Sequence, residues 1–340
     1  GTNGGNSDGI GYSYNSNTAS VNTVRGCRAW NNGDDGFDSF QCLGYVLYDN
    51  CWSWHNGFLY GGTTQAGNGC GFKLGSNFPQ PTPTRGTLKR RMQNCVAWDN
   101  GHPNASGGAA GVHINEADHL AEIFNCTFFD NGITGMNFHF DNQPHIFRNV
   151  ISFNNGSKDV EVSTNSISSN CSYGVAGTSD ALSGWTNNVS SSDFVSITPT
   201  GVTSSRDIDG NLPIITFLNL TEGSNKIDSG TYVGLTYAGS APDRGAFEYG
   251  LLRSFFSGDS GGTSSGTNSS PIVNAGTDQV ITLPTTSATL VGTASDSDGS
   301  IAAYQWVQTG GVLSTIVSPS LYTTVVTGLT STGIRTFTLI

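Results

Sequence analysis

The sequence predicts an all-β protein, a parallel β-helix followed by a smaller C-terminal β-sandwich. Three observations carry this. A seven-residue unit recurs five times, and each copy is followed by a segment in which apolar and polar residues alternate. A Gly/Ser/Thr-rich stretch then separates this part from a tail with strand patterning of its own.

The copies of the unit are Gly26-Cys27-Arg28-Ala29-Trp30-Asn31-Asn32, Asn50-Cys51-Trp52-Ser53-Trp54-His55-Asn56, Asn94-Cys95-Val96-Ala97-Trp98-Asp99-Asn100, Asn125-Cys126-Thr127-Phe128-Phe129-Asp130-Asn131 and Asn149-Val150-Ile151-Ser152-Phe153-Asn154-Asn155. They start at 26, 50, 94, 125 and 149, so the steps are 24, 44, 31 and 24 residues. Strands this short, at a period too small for a βαβ unit, bury a face only by coiling so that each rung covers its neighbour. The two long steps read as rungs with inserted loops. Cys27, Cys51, Cys95 and Cys126 would stack inward as small hydrophobes, and the repeated Asn would form a side-chain ladder. Trp30, Trp52, Trp54 and Trp98 hold repeat positions, which suits stacked core aromatics better than sugar platforms.

Beyond Asn165 the pattern weakens, and Ala241-Pro242-Asp243-Arg244-Gly245-Ala246-Phe247-Glu248-Tyr249 reads as a turn and closing strand, which ends the first domain at residue 250. Residues 251–270 are expected to be a flexible linker, because 257–270 are almost wholly Gly, Ser, Thr, Asp and Asn. Residues 271–340 are expected to be a β-sandwich, and on Asn274-Ala275-Gly276, Asp296-Ser297-Asp298-Gly299 and Tyr304-Gln305-Trp306 this part resembles a PKD-type immunoglobulin-like module lacking its last strand. Gly1 falls inside a repeat and Ile340 inside a strand pattern, so the natural chain is expected to extend past both.

Composition narrows the function. The net charge of −11, with only 14 Lys and Arg, argues against nucleic acid as a partner, since phosphate binding needs clustered cations. No apolar run reaches the roughly 20 residues of a membrane-spanning helix. Seven cysteines in spacings that fit neither a zinc site nor a redox motif gain their meaning only from the repeat.

The repeat also sets a register. The segments Gly36-Phe37-Asp38, Gly71-Phe72-Lys73-Leu74, Gly111-Val112-His113-Ile114, Gly135-Met136-Asn137-Phe138 and Asp159-Val160-Glu161-Val162 align, which makes Asp38, Lys73, His113, Asn137 and Glu161 one outward column. Adjacent rungs lie about 4.8 Å apart, so Asp38 and Lys73 should be neighbours. Ser7-Asp8-Gly9-Ile10 aligns with Asp34-Asp35-Gly36-Phe37 and brings Asp8 to Asp35. Asp8, Asp34, Asp35 and Asp38 would repel one another unless a cation neutralised them, and hard oxygen ligands suit Ca²⁺.

These same stretches, Asn6-Ser7-Asp8-Gly9, Arg25 through Asp38 and Gly67-Asn68-Gly69-Cys70-Gly71-Phe72-Lys73-Leu74-Gly75, resemble polysaccharide lyase family 9 pectate lyases. The likeness extends to Ser192-Asp193-Phe194-Val195-Ser196 and to the ending at Pro242-Asp243 and Phe247-Glu248, and so covers most of 1–250. After Asp8 the sequence departs from the family, with Gly11-Tyr12-Ser13 where a lysine-bearing segment is expected. The resemblance implies a right-handed β-helix, Ca²⁺ held by Asp8, Asp34, Asp35 and Asp38, and Lys73 as catalytic base. It implies β-elimination from pectate or polygalacturonate with an alkaline optimum, in a secreted enzyme expected to be monomeric. Arg85, Lys89, Arg90, Arg91 and His113 are further candidates for gripping the substrate, since guanidinium groups match carboxylates. Rival readings are a lyase for rhamnogalacturonan or another uronate polymer, a polygalacturonase-like hydrolase using Asp34 and Asp35, and a non-catalytic carbohydrate-binding or adhesion solenoid.

Overall fold

A computed structural model describes residues 6–75, 84–105, 108–139, 143–174, 183–208, 210–251, 272–295, 304, 306–319 and 321–339. Regular structure among these residues is strands plus one 3-10 turn at Ser191–Asp193. By contact the chain divides into Gly1–Gly262 and Thr263–Ile340. Of the expected linker, 252–270 lie outside the described residues, as does the Asp296-Ser297-Asp298-Gly299 motif.

Three parallel sheets build the first unit. The first holds, in spatial order, Ile10–Gly11, Phe37–Asp38, Phe72–Lys73, Ala110–His113, Thr134–Phe138 and Lys158–Val162. The second stacks Val21–Arg25, Tyr45–Asp49, Leu88–Gln93, Leu120–Phe124, Ile146–Arg148 and Ile167–Ser169. Arg28–Trp30, Trp52–Trp54, Val96–Trp98, Thr127–Phe129, Ile151–Phe153, Cys171–Tyr173 and Trp185–Asn187 form the third. The chain visits the three in turn and returns one rung further on, the path of a parallel β-helix.

The repeat unit explains why the chain turns where it does. Its first residue sits between the second and third sheets in the left-handed region, with φ of 59° at Gly26, 51° at Asn50, 56° at Asn94, 48° at Asn125 and 56° at Asn149. Gly and Asn occupy that region at least cost. The next residue points inward: Cys51, Cys95 and Cys126 are fully buried free thiols, joined by Cys171 and packed with Phe37, Phe72, Val112 and Met136. Phe37 and Phe72 stack with centroids 4.7 Å apart.

The last Asn of each unit forms the expected ladder. Nδ2 donates to the next Oδ1 from Asn32 to Asn56 (2.7 Å), Asn56 to Asn100 (2.8 Å), Asn100 to Asn131 (3.1 Å) and Asn131 to Asn155 (3.0 Å). Asn155 in turn donates to the buried Asp159 carboxylate at 2.9 Å. Each amide thus satisfies buried carbonyls and its neighbour together.

On the outer face of the third sheet Trp30, Trp54 and Trp98 stack at 4.8 Å spacings. The chain after Trp185 covers them: Phe217 meets Trp98 edge-on at 5.0 Å and Phe247 meets Trp52 at 6.2 Å, forming a second apolar cluster with Phe194, Leu218 and Leu220. Trp52, Trp54 and Trp98 are core residues, whereas Trp30 ends the stack and is 39% exposed, because no further rung covers it.

The second unit is built of antiparallel pairs, Ile272–Asn274 with Thr293–Ser295, Ser287–Val291 with Thr323–Thr327 and Thr315–Ile316, and Trp306–Gly310 with Thr336–Leu339. Trp306 is its buried anchor, and its Nε1–H donates to the Leu321 carbonyl at 3.1 Å.

Candidate active site

Strand pairing in the first sheet aligns Asp38 with Lys73, Lys73 with His113, His113 with Asn137 and Asn137 with Glu161. Five residues scattered over more than a hundred positions therefore form one outward column. Their inward neighbours Phe37, Phe72, Val112, Met136 and Val160 are core residues, so alternation alone commits the polar set to the outer face.

One rung earlier, the Gly9 N–H donates to the Asp35 carbonyl and the Asp35 N–H donates to Asp8 Oδ1, both within 3.1 Å. Asp8, Asp35 and Asp38 each bring a carboxylate oxygen within 4.8 Å of the others. The remaining carboxylate oxygens are fixed by the backbone: Asp35 Oδ1 accepts from the Cys70 N–H at 2.7 Å, and Asp38 Oδ1 from the Phe40 N–H at 2.7 Å. Ser13 Oγ donates to Asp38 Oδ2 at 3.3 Å, so the segment that departs from the family pattern reaches the site.

Burial dominates the ionisation of these acids. It pushes Asp35 up to about 7 against the pull of Lys73, and Asp38 up to about 6 against the same pull, while Asp8 is also raised by burial. Carboxylates this close repel unless a proton or a cation lies between them. Three converging carboxylates with all-oxygen donors and raised proton affinity fit a hard divalent cation.

Asp34 differs from the other three. Its Oδ2 accepts from the Asn6 N–H at 2.8 Å and its Oδ1 from the Asn68 N–H at 2.7 Å, so it ties together the two loops flanking the site and lies outside the close group. Gly67 permits this approach, because a Cβ there would lie 2.3 Å from Asp34 Oδ1.

Lys73 Nζ lies 2.9 Å from Asp35 Oδ2 and 5.6 Å from the centre of the Phe40 ring, with its side chain 11% exposed. Desolvation lowers its pKa, but Asp35 and Asp38 outweigh that and hold the ammonium well above the usual lysine range. Beside it, His113 Nδ1 accepts from the Asn115 N–H at 2.7 Å, which leaves the ring proton on Nε2. Burial and then the Lys73 charge lower His113 to about 4, so the imidazole is neutral near pH 7.

The basic residues after the Lys73 strand do not join this group. Arg90 corrects the sequence expectation most sharply: it is fully buried, and its guanidinium donates to the carbonyls of Leu74, Gly44, Cys42 and Ser39. It holds the interior turn and cannot grip a substrate. Lys89 and Arg91 flank it in the alternation and point outward from the second sheet, a different face from that of Lys73. Lys89 Nζ donates to the Thr18 carbonyl at 2.7 Å, and Arg91 faces Glu122 and lies 4.8 Å over the Phe124 ring. Arg85 is exposed on the connection before that strand. Sequence reasoning missed Phe40 and His139, each two positions beyond a column residue in the same alternation, and Ser13, for which no repeat signal exists.

Comparison with known proteins bears on the family and the fold. Residues 1–155 match the family described as "Pel9A-like, right handed beta helix region", and residues 275–340 match a family of PKD domains. Pectate lyase L of Dickeya dadantii (strain 3937) is 36% identical over 233 residues, 67% of this chain and 48% of that protein. Pectate lyase L of Paenibacillus polymyxa (strain SC2) is 31% identical over 233 residues, 67% of this chain and 47% of that protein. The chain thus spans about half the length of the curated relatives it matches. The crystal structure of pectate lyase Pel9A superimposes with a TM-score of 0.52 at 31% identity, covering 73% of this chain and 55% of that one. The chain therefore carries a Pel9A-like right-handed β-helix region followed by a PKD domain.

Proposed function

We propose that the chain is the catalytic part of a secreted, monomeric, calcium-dependent lyase that cleaves pectate or polygalacturonate by β-elimination, with Lys73 as the base. The observation that carries this is the amine of Lys73 held 2.9 Å from the buried Asp35, one of three converging carboxylates on a column of polar side chains. Relatives named pectate lyase support the substrate class. Asp8, Asp35 and Asp38 would hold the ion, with Asp34 bracing them and adding a fourth carboxylate. Bound Ca²⁺ would neutralise these acids and polarise the carboxylate of the substrate uronate, acidifying its C5 proton.

Lys73 must be neutral to act. Asp35 holds its proton on, so catalysis needs either compensation of the carboxylate charge or an alkaline medium, and the expected optimum is alkaline. Neutral Lys73 Nζ removes the C5 proton, the C4–O bond to the leaving sugar breaks, and a C4=C5 double bond forms. The leaving oxygen takes a proton from water. His113, on the rung beside Lys73, would line the bound uronate chain. Arg85 adds an exposed cation for a further uronate.

A hydrolase using Asp34 and Asp35 as acid and base fits less well, because both oxygens of Asp34 accept backbone N–H groups and Asp35 is paired with Lys73. The test is ultraviolet absorbance of unsaturated uronide released from polygalacturonate, with Ca²⁺ and with chelator, for the native chain and Lys73→Ala. A signal that needs Ca²⁺ and falls at least about a hundredfold in the variant is expected. Saturated products would favour the hydrolase. No cleavage of any pectic polymer would leave a binding solenoid.

A further inference from the structure

The column continues past Lys73 and His113 to Asn137, 8% exposed, and Glu161. Asn137 Oδ1 is bonded to His139 Nδ1 at 3.0 Å. The amide oxygen faces the ring, and the tautomer with its proton on Nδ1 donates to it. Nδ2 then holds two N–H groups, and no acceptor takes either of them among the hydrogen bonds of the described residues. That nitrogen is not among the sealed, unpartnered side-chain atoms of the described residues, so its N–H groups stay open on the outer column to water and to an acceptor oxygen of a ligand.

Its surroundings are polar. Glu161 pairs with Lys158 Nζ at 2.5 Å and lies 3.8 Å from His139 Nδ1, so this carboxylate is compensated and closes the far end of the column. From Lys73 to Asn137 is two rungs, about 10 Å along the helix axis. A sugar chain laid along the column with its reacting uronate at Lys73 would bring a neighbouring sugar to Asn137.

Resting on the lyase reading above, we propose that Asn137 is a binding residue of a distal subsite, its amide donating to an acceptor oxygen of a sugar bound two rungs from Lys73, with His139 as the positioning residue that orients the amide. The site then recognises an extended acidic polysaccharide rather than a single uronate. Part of the affinity for polymer comes from a sugar that does not react, and the shortest cleavable oligomers do not reach it.

The test compares KM and kcat on polygalacturonate and on the shortest oligogalacturonide that the native chain cleaves. Asn137→Ala should raise KM on polymer roughly tenfold, leave KM on the short oligomer unchanged and change kcat little. Asn137→Asp, which replaces the donors with a charge, should be worse on polymer. His139→Ala should give part of the same KM shift, and His139→Gln, which can still donate to Oδ1, should restore it. Binding of polygalacturonate fragments to Lys73→Ala with and without Asn137→Ala, followed by calorimetry, gives a readout independent of turnover. Equal loss on long and short substrates, or no loss of binding, would overturn the subsite while leaving the lyase intact. Native protein that neither cleaves nor binds a uronate polymer would overturn the lyase reading, and the subsite with it.

Discussion

At the scale of the residue, the site is an electrostatic problem that the chain leaves half solved. Asp38 is held at about 6, above the ordinary carboxylate value of 3.8, mainly because it is buried. A group whose folded pKa is raised contributes stability below its unfolded pKa and loses it as pH rises through the folded one. In chelator the native chain should therefore lose about 2 to 3 kcal/mol between pH 4 and pH 7 from this residue. Asp38→Asn should flatten that decline. Melting temperatures across the window check it, and a native chain that grows more stable over the same interval would contradict the assignment. Because the acids favour their protonated forms, Ca²⁺ binding near pH 6 should release protons. Calorimetry in buffers of differing ionisation enthalpy measures that release, and an enthalpy independent of buffer would contradict it.

At the scale of the element, the Asn ladder does for the turns what strand pairing does for the sheets. Asn100 Nδ2 donates to the carbonyls of Ser53 and Trp98 and to Asn131 Oδ1, while its own oxygen accepts from Asn56. Asn100→Ala strands several buried groups at once and should cost about 2 to 4 kcal/mol in denaturant unfolding. A change under about half a kcal/mol would mean water replaces the amide. The ladder was legible in the sequence because its period is that of the repeat, and so was the register that brings Asp38 to Lys73. Arg90 was not legible in the same way. A basic run reads as surface, yet alternation within Leu88–Gln93 turns its middle residue inward, where uncapped turn carbonyls of other rungs receive it.

At the scale of the whole molecule, the segment after Trp185 acts as a cover for the third sheet. Trp98 stacks on Trp54 and meets Phe217, far in sequence and on a different face from Lys73. Trp98→Ala should destabilise the β-helix unit by about 3 to 5 kcal/mol while leaving KM on pectate unchanged well below the melting temperature. Thermal unfolding with kinetics at a low temperature separates the two effects, and a large rise in KM would show that the third sheet takes part in binding.

The sequence by itself determined the solenoid, its inward cysteines, the Asn ladder and the column holding Asp38, Lys73, His113, Asn137 and Glu161. All of these follow from a period that repeats locally and needs no knowledge of distant chain. Only the tertiary structure decided what each polar group does once there. It set Asp34 to tying loops, Arg90 to the interior, Lys89 and Arg91 to another face, and the His139 ring against the Asn137 amide. The reason is physical: periodicity fixes which face a side chain takes, whereas its hydrogen-bond partners come from loops and rungs whose approach no local pattern encodes.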